Sequence, residues 1–184
     1  MAMCSATHWP EIRTGRLTLR EPRADDAPRI AELADDFDVS RMTASMPHPF
    51  ALSDAEAFLR RMHSRDPERE IAFAIEAPGD GLVGIVGLHP RAVTLSGAEA
   101  PEIGYWIGRP YWGRGYATEA AAAAVAWAHG DWGRRYVISG HFADNPASGA
   151  VLAKTGFLYT GEVQSRFSKA RGRETPTRMM VRLA

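Results

Sequence analysis

Apolar and polar positions alternate along "RLTLREP", with Leu17 and Leu19 on one face and Pro22 closing the run, so the stretch reads as a strand. The period then lengthens. In "ADDAPRIAELADDF", acidic residues suited to a helix N-terminus precede Ile30, Leu33 and Phe37 at helical spacing, which predicts one helix. A second helix is expected from about Asp54 to Ser64, with Ser53 or Asp54 as N-cap and Ala55, Phe58, Leu59 and Met62 as its apolar stripe. Between the two lies "VSRMTASMPHPFAL", irregular and rather apolar. "IAFAIE" and "LVGIVGLHP" read as strands joined by the hairpin-like turn "APGDG", and "PEIGYWIG" as the next strand. "RRYVISGHF" is another strand, followed by a helix from Pro146 to Lys154 and a last strand at "TRMMVRLA". "SKARGRETP" reads as a basic, mobile loop. The resulting order is β-α-α-β-β-β-α-β-α-β-β, an α/β class chain.

Composition narrows the setting. A chain of 184 residues with 45% apolar content can bury a full core and suits one domain, here 14–184 behind a tail at 1–13. Lysine plus arginine and aspartate plus glutamate both number 22, so overall charge asks for neither nucleic acid nor an anionic membrane. No apolar run reaches the ~18 residues of a membrane span, and "MAMCSATHWPEIRTG" lacks the hydrophobic stretch of a signal peptide. A cytoplasmic protein is expected. Cys4, the single cysteine, cannot form an internal disulfide. The histidines show no close metal-ligand spacing, and no metal is expected.

The stretch with most chemical content is "RPYWGRGYATEAAAAAVAWAHG", residues 109 to 130. Alanine is the best helix former, so Thr118 to His129 should be a firm helix, with Gly130 placed for a left-handed C-terminal cap. A helix start leaves backbone N–H groups unpaired and carries partial positive charge, and Gly113 and Gly115 just ahead of it let a ligand approach the backbone. Arg114 adds a fixed positive charge, and together these form a cradle for an anion such as phosphate. The same glycines also suit a tight strand-to-helix turn with no ligand. A dinucleotide fingerprint needs a third glycine where Thr118 stands, and no Gly-Lys-Ser/Thr of a nucleotide P-loop occurs.

What remains resembles the GNAT superfamily of N-acetyltransferases, and within it the ribosomal-protein alanine N-acetyltransferase branch. The superfamily's pyrophosphate loop, Gln/Arg-x-x-Gly-x-Gly/Ala, aligns with Trp112-Gly113-Arg114-Gly115-Tyr116-Ala117, Trp112 standing where the superfamily has Gln or Arg. "EIGYWIG" resembles the preceding strand, "NPASGAVLAKTGF" the family's Asn-x-x-Ser-x-x-x-x-x-Lys-x-Gly-Phe helix, and "TGRLTLREPRADDA" the branch's opening strand and helix. The resemblance implies a mixed, mostly antiparallel central sheet flanked by helices, with a splayed parallel strand pair. Acetyl-CoA would place its pantetheine arm in the splay, against main-chain groups of Tyr105, Trp106 and Ile107. Its pyrophosphate would meet Trp112 to Thr118, and Asn145 and Ser148 would face the coenzyme. A homodimer is implied too.

The residues also have readings of their own. Gly104 inside an apolar strand marks a bulge, a close approach, or a plain buried strand making room for a neighbour. Asn145 before Pro146 is a strong N-cap, Ser148 can serve that helix end, and Gly156 suits a C-terminal cap. Amide formation needs an unprotonated amine, a stabilised oxyanion and an exit for the thiolate. Glu102, at the start of the strand lining the acyl site, is the candidate base, acting through water, since apolar surroundings can raise a carboxylate's proton affinity. It also reads as a solvated strand start. Ser148 is the candidate acid, with Tyr105 and Tyr159 as alternates, and the loop Met42 to Phe50 resembles the branch's acceptor-side wall. The expected activity is direct acetyl transfer to a primary amine, either a protein N-terminus or a small molecule. The competing reading is a non-catalytic acyl-CoA-binding module that keeps the cradle without using Glu102.

Overall fold

The strand "IAFAIEA" is shielded from solvent along nearly its whole length, as a strand interior to a sheet must be. The computed structural model describes residues 9–92 and 99–184. Cys4 and His8 lie outside the described residues. In chain order the elements are β1 (Ile12–Arg13), β2 (Thr18–Arg20), α1 (Ala27–Ala34), α2 (Phe37–Ser40), α3 (Leu52–His63), β3 (Ile71–Ala77), β4 (Gly81–Ala92), β5 (Glu99–Ile107), α4 (Tyr116–His129), β6 (Tyr136–Phe142), α5 (Pro146–Lys154), β7 (Leu158–Ser168) and β8 (Arg173–Leu183). Among the described residues they build one eight-stranded sheet, ordered β1-β2-β3-β4-β5-β6-β8-β7. Its strand pairs are antiparallel except β5 with β6. This is the mixed, mostly antiparallel sheet expected.

The helix α4 lies close on this sheet because its inward stripe is small: Ala120, Ala121, Ala124, Val125 and Ala128 are all fully buried. It packs over β4, β5 and β6 and against α5. On β2, Arg20 forms a buried bidentate pair with Asp26, Nη1 to Oδ2 and Nη2 to Oδ1 at 2.8 Å each. Asp26 Oδ2 also accepts the Arg23 N–H at 2.7 Å, tying the start of α1 to β2.

Several local expectations are corrected. The helix predicted through Phe37 stops at Ala34, and Phe37 opens α2 with 47% of its surface exposed. The α3 N-cap is Ala51 rather than Ser53 or Asp54; Asp54 sits in the first turn and accepts the Ala51 N–H at 2.8 Å. Gly130 has φ −78°, so α4 does not end in a left-handed cap, whereas Gly156 after α5 does sit at φ +87°. Packing also begins ahead of Thr14: β1 pairs with β2, and the Trp9 indole donates to Ala72 O at 3.1 Å.

The basic loop is the largest correction. β7 and β8 run up to a short turn at 169–172, and the turn is anchored. Ser168 is fully buried and donates to Thr43 O, Lys169 N–H donates to Ala44 O, and Arg171 holds Asp144 at 2.6 Å.

Candidate active site

The parallel pair β5/β6 registers at one position only, Glu102 with Ile138, next to which Ser139 Oγ donates to Ile103 O at 2.9 Å. Beyond this point the strands part, while β5 stays paired with β4 without a break from Glu99 to Ile107. Gly104 is therefore no bulge. Successive carbonyls on a strand point to opposite sides. Ile103 O meets Ser139 and Ile107 O meets the Trp112 indole at 2.6 Å, both away from β4. The main-chain groups of Tyr105 between them consequently face the opening, which gives an extended amide-bearing arm a place to bond.

At the far end of β5 comes the cradle. Gly113 and Gly115 have φ of +77° and +79°, values that L residues rarely adopt, and α4 starts at Tyr116. The Glu119 N–H is the one that bonds back to Gly115 O, so the amides of Tyr116, Ala117 and Thr118 precede the first intrahelical bond and are available to an anion. Arg114 is partly committed, at 3.1 Å from Asp80. A second cation, which the sequence did not single out, stands beside it: Arg16 donates to Arg114 O at 2.9 Å and pairs with Glu119 at 2.7 Å. Thr14 and Arg16 thereby satisfy Glu119, which would otherwise compete with a phosphate at the helix mouth.

Gly115 cannot be enlarged without strain. A Cβ there would sit 3.3 Å from Arg16 Nη2 in a left-handed conformation, a cost of roughly 1–2 kcal/mol. Gly115→Ala is thus the mildest probe. It is expected to lower acetyl-CoA affinity by about tenfold or more, beyond its modest loss of melting temperature. Calorimetric titration checks this, and unchanged affinity in the folded variant contradicts the cradle.

A cleft of about 980 Å³ lies beside β5. Glu102, Tyr105, Trp106 and Ser148 line it together, whereas Trp112 to Thr118, Ile107 and Asn145 lie outside it. The loop at Met42 to Pro47, with Phe50, supplies one wall. Tyr105 Oη is 2.9 Å from Ser148 Oγ and donates to Ser148 O at 3.1 Å, while Asn145 Oδ1 accepts the Ser148 N–H as the cap of α5. Burial pushes the Tyr105 hydroxyl up to about 12, only partly offset by Ser148, so it stays protonated. Tyr159 bonds instead to the buried His141 ring at 2.9 Å.

Glu102 is neither solvated nor apolar in its surroundings. Its side chain is 4% exposed, with Arg166 of β7 closing on Oε1 and His89 Nε2 lying 3.3 Å from Oε2. Burial on its own would raise the proton affinity of Glu102, but His89 and Arg166 outweigh it and hold the carboxyl below the usual carboxylate range. The expected upward shift is thus reversed. The sequence did not single out Arg166 or His89. His89 was legible only as the residue facing Glu102 across the β4/β5 ladder, a register that strand patterns alone do not give.

A family-level sequence match, to the acetyltransferase (GNAT) domain, spans residues 16–158. The chain belongs to the GNAT acetyltransferase family. It is an acetyl-CoA-dependent N-acetyltransferase in general class. Relatives agree: an uncharacterized N-acetyltransferase, YoaA, of Bacillus subtilis (strain 168) is 28% identical over 155 residues, 83% of this chain and 85% of that protein. Among solved structures, a GNAT acetyltransferase from Bacillus anthracis superposes with a TM-score of 0.78 at 21% identity, over 95% of this chain and 98% of that one. Mycobacterium smegmatis RimJ, solved with CoA-disulfide, gives 0.78 at 23% identity, over 96% of this acetyltransferase and 87% of RimJ. These likenesses carry the fold. No group of three or more potential metal ligands exists among the described residues, and no helix among them is long and apolar enough to cross a membrane.

Proposed function

We propose that the protein moves an acetyl group directly from acetyl-CoA to a primary amine seated in the cleft. The observation that carries this reading is the opening between β5 and β6, with the cleft of Glu102, Tyr105 and Ser148 at one end and the Gly113 to Thr118 cradle at the other. From Glu102 to Ile107 β5 rises about 17 Å, a span suited to an extended arm between thioester and phosphates. The acceptor nitrogen attacks the thioester carbon, and main-chain amides along the opening stabilise the developing oxyanion. Tyr105 and Ser148 serve the leaving thiolate as hydrogen-bond donors. An alkyl thiol ionises near 8.5, well below a phenol held up to about 12, so Tyr105 keeps its own proton and stabilises the thiolate without protonating it.

A protein N-terminus, as the resemblance to ribosomal-protein acetyltransferases favours, and a small-molecule amine are the two acceptor classes. Thiol release from acetyl-CoA, followed over a panel of N-terminal peptides, polyamines and amino acids, tests the proposal. Amine-dependent release supports it; tight coenzyme binding with no release on any amine supports the binding-module reading instead. A cytoplasmic homodimer belongs to the same proposal. Its support is β7, which forms the sheet edge with Leu158, Val163 and Phe167 exposed. Light scattering should give the mass of two chains, and a monomer at working concentration refutes it.

A further inference from the structure

His89 stands directly opposite Glu102 in the β4/β5 register, and cross-strand partners project to the same face of a sheet. Its Nε2 is 3.3 Å from Glu102 Oε2, so a neutral ring that carries its proton on Nε2 leaves the Nδ1 lone pair free. No protein partner occupies Nδ1 among the described residues. The next pair on that face is Gly87 with Gly104, which puts two residues without side chains beside His89 on the floor of the cleft. A Cβ on Gly104 would meet only His89 Cε1, at 3.8 Å. The floor on the Gly104 side of the imidazole is therefore bare, whereas Gly87 lies against Ala72 and Ile71 O, and an amine resting beside Gly104 would touch the ring.

We propose that His89 takes the proton from the acceptor ammonium, and that Glu102 is the positioning residue that fixes its tautomer and orientation. This rests on the transferase reading above. The step balances as follows: the ammonium gives one proton to His89 Nδ1, the freed lone pair forms the C–N bond, the C–S bond breaks, and the departing thiolate takes up the second nitrogen proton through solvent. His89 then returns its proton to solvent at the half-exposed side of the ring. The charged groups around it are Glu102 on β5, Arg166 on β7 and Arg91 on its own strand. Sharing the cleft are Asp54 and Arg61 on α3, Glu70 before β3, His141 on β6 and Lys169 after β7. Arg166 and Arg91 cannot accept a proton, and Glu102, held by Arg166, is a weaker base than an ordinary carboxylate.

The test compares wild type, His89→Gln and His89→Ala in kcat, KM and acetyl-CoA affinity from acidic to alkaline pH, on an alkylamine and on an aromatic amine that is unprotonated at neutral pH. With the alkylamine at neutral pH, kcat of both variants should fall about 10²-fold or more, with coenzyme affinity unchanged. The acid limb of the wild-type pH profile should vanish, added imidazole should restore part of the His89→Ala rate, and the aromatic amine should show little deficit. A His89→Gln enzyme with wild-type kcat and an intact acid limb overturns the assignment while leaving the transferase reading standing. A wild type that binds acetyl-CoA but acetylates no amine overturns both.

Discussion

A Glu102→Gln enzyme should acetylate its amine about 10²–10⁴-fold more slowly at neutral pH, with acetyl-CoA affinity nearly unchanged, because the cradle lies at the other end of β5. The substitution keeps size and one acceptor oxygen but removes the charge that holds His89 and Arg166. The deficit should shrink at alkaline pH, where free amine forms without help. Stability will also suffer. The Arg166 side chain is 11% exposed and loses its counter-ion, a loss of about 1–3 kcal/mol. A Glu102→Gln/Arg166→Met double variant separates the two effects: it should recover much of the melting temperature and none of the turnover. Initial rates across pH, with thermal melts of each variant, check this. Full turnover of the single variant at neutral pH would reduce Glu102 to a structural ion-pair partner.

The second large effect concerns stability alone. Asp26→Ala should destabilise the fold by about 1.5–3 kcal/mol at neutral pH, because it removes the bidentate partner of the Arg20 guanidinium, whose side chain is 9% exposed and keeps, among the described residues, only Glu76 at 3.0 Å and Glu21 O at 3.1 Å. Burial works to raise the Asp26 pKa, yet the bonds from Arg20 and from the Arg23 N–H prevail and lower it. A depressed folded-state pKa gives stability that is complete above the unfolded value, about 3.9 for aspartate, and is lost as pH falls through the folded value. The gap between wild type and Asp26→Ala in urea denaturation should accordingly be constant from neutral pH to about 5 and close only below about 4. A gap that is absent at neutral pH would mean that the pair contributes nothing net.

The glycine turn and the alanine helix after it were legible because they depend on local chemistry: φ values open to glycine, and the propensity of alanine. Most strands along the chain were legible from periodicity for the same reason, whereas β1, α2 and β7 matched no stretch read from the pattern. The misses share another cause, side chains satisfying backbone groups at a distance. Asp36 Oδ1 accepts the Asp38 N–H and starts α2, and Asp35 Oδ1 accepts the Phe50 N–H across fifteen residues, so the helical spacing of Phe37 lost to these bonds. In "QSRFSKARGR" every cation looks solvated. Strand alternation, however, puts Gln164, Arg166 and Ser168 on one face of β7, and pairing with β8 turns that face inward. Only the strand register and sheet order bring His89 and Arg166 to Glu102, and together they outweigh burial, so a carboxylate expected to hold its proton more tightly instead holds it less.

The central claim is direct transfer, and a single-turnover experiment with enzyme in excess over acetyl-CoA tests it most directly. The enzyme is loaded with acetyl-CoA and mixed with the acceptor amine, and intact protein, amine and coenzyme are weighed by mass spectrometry at intervals. Direct transfer predicts that acetyl appears on the amine nitrogen in step with free CoA, and never on the protein, before or after mixing. An acetylated protein before amine is added, or a thioester that survives every amine tested, would contradict it.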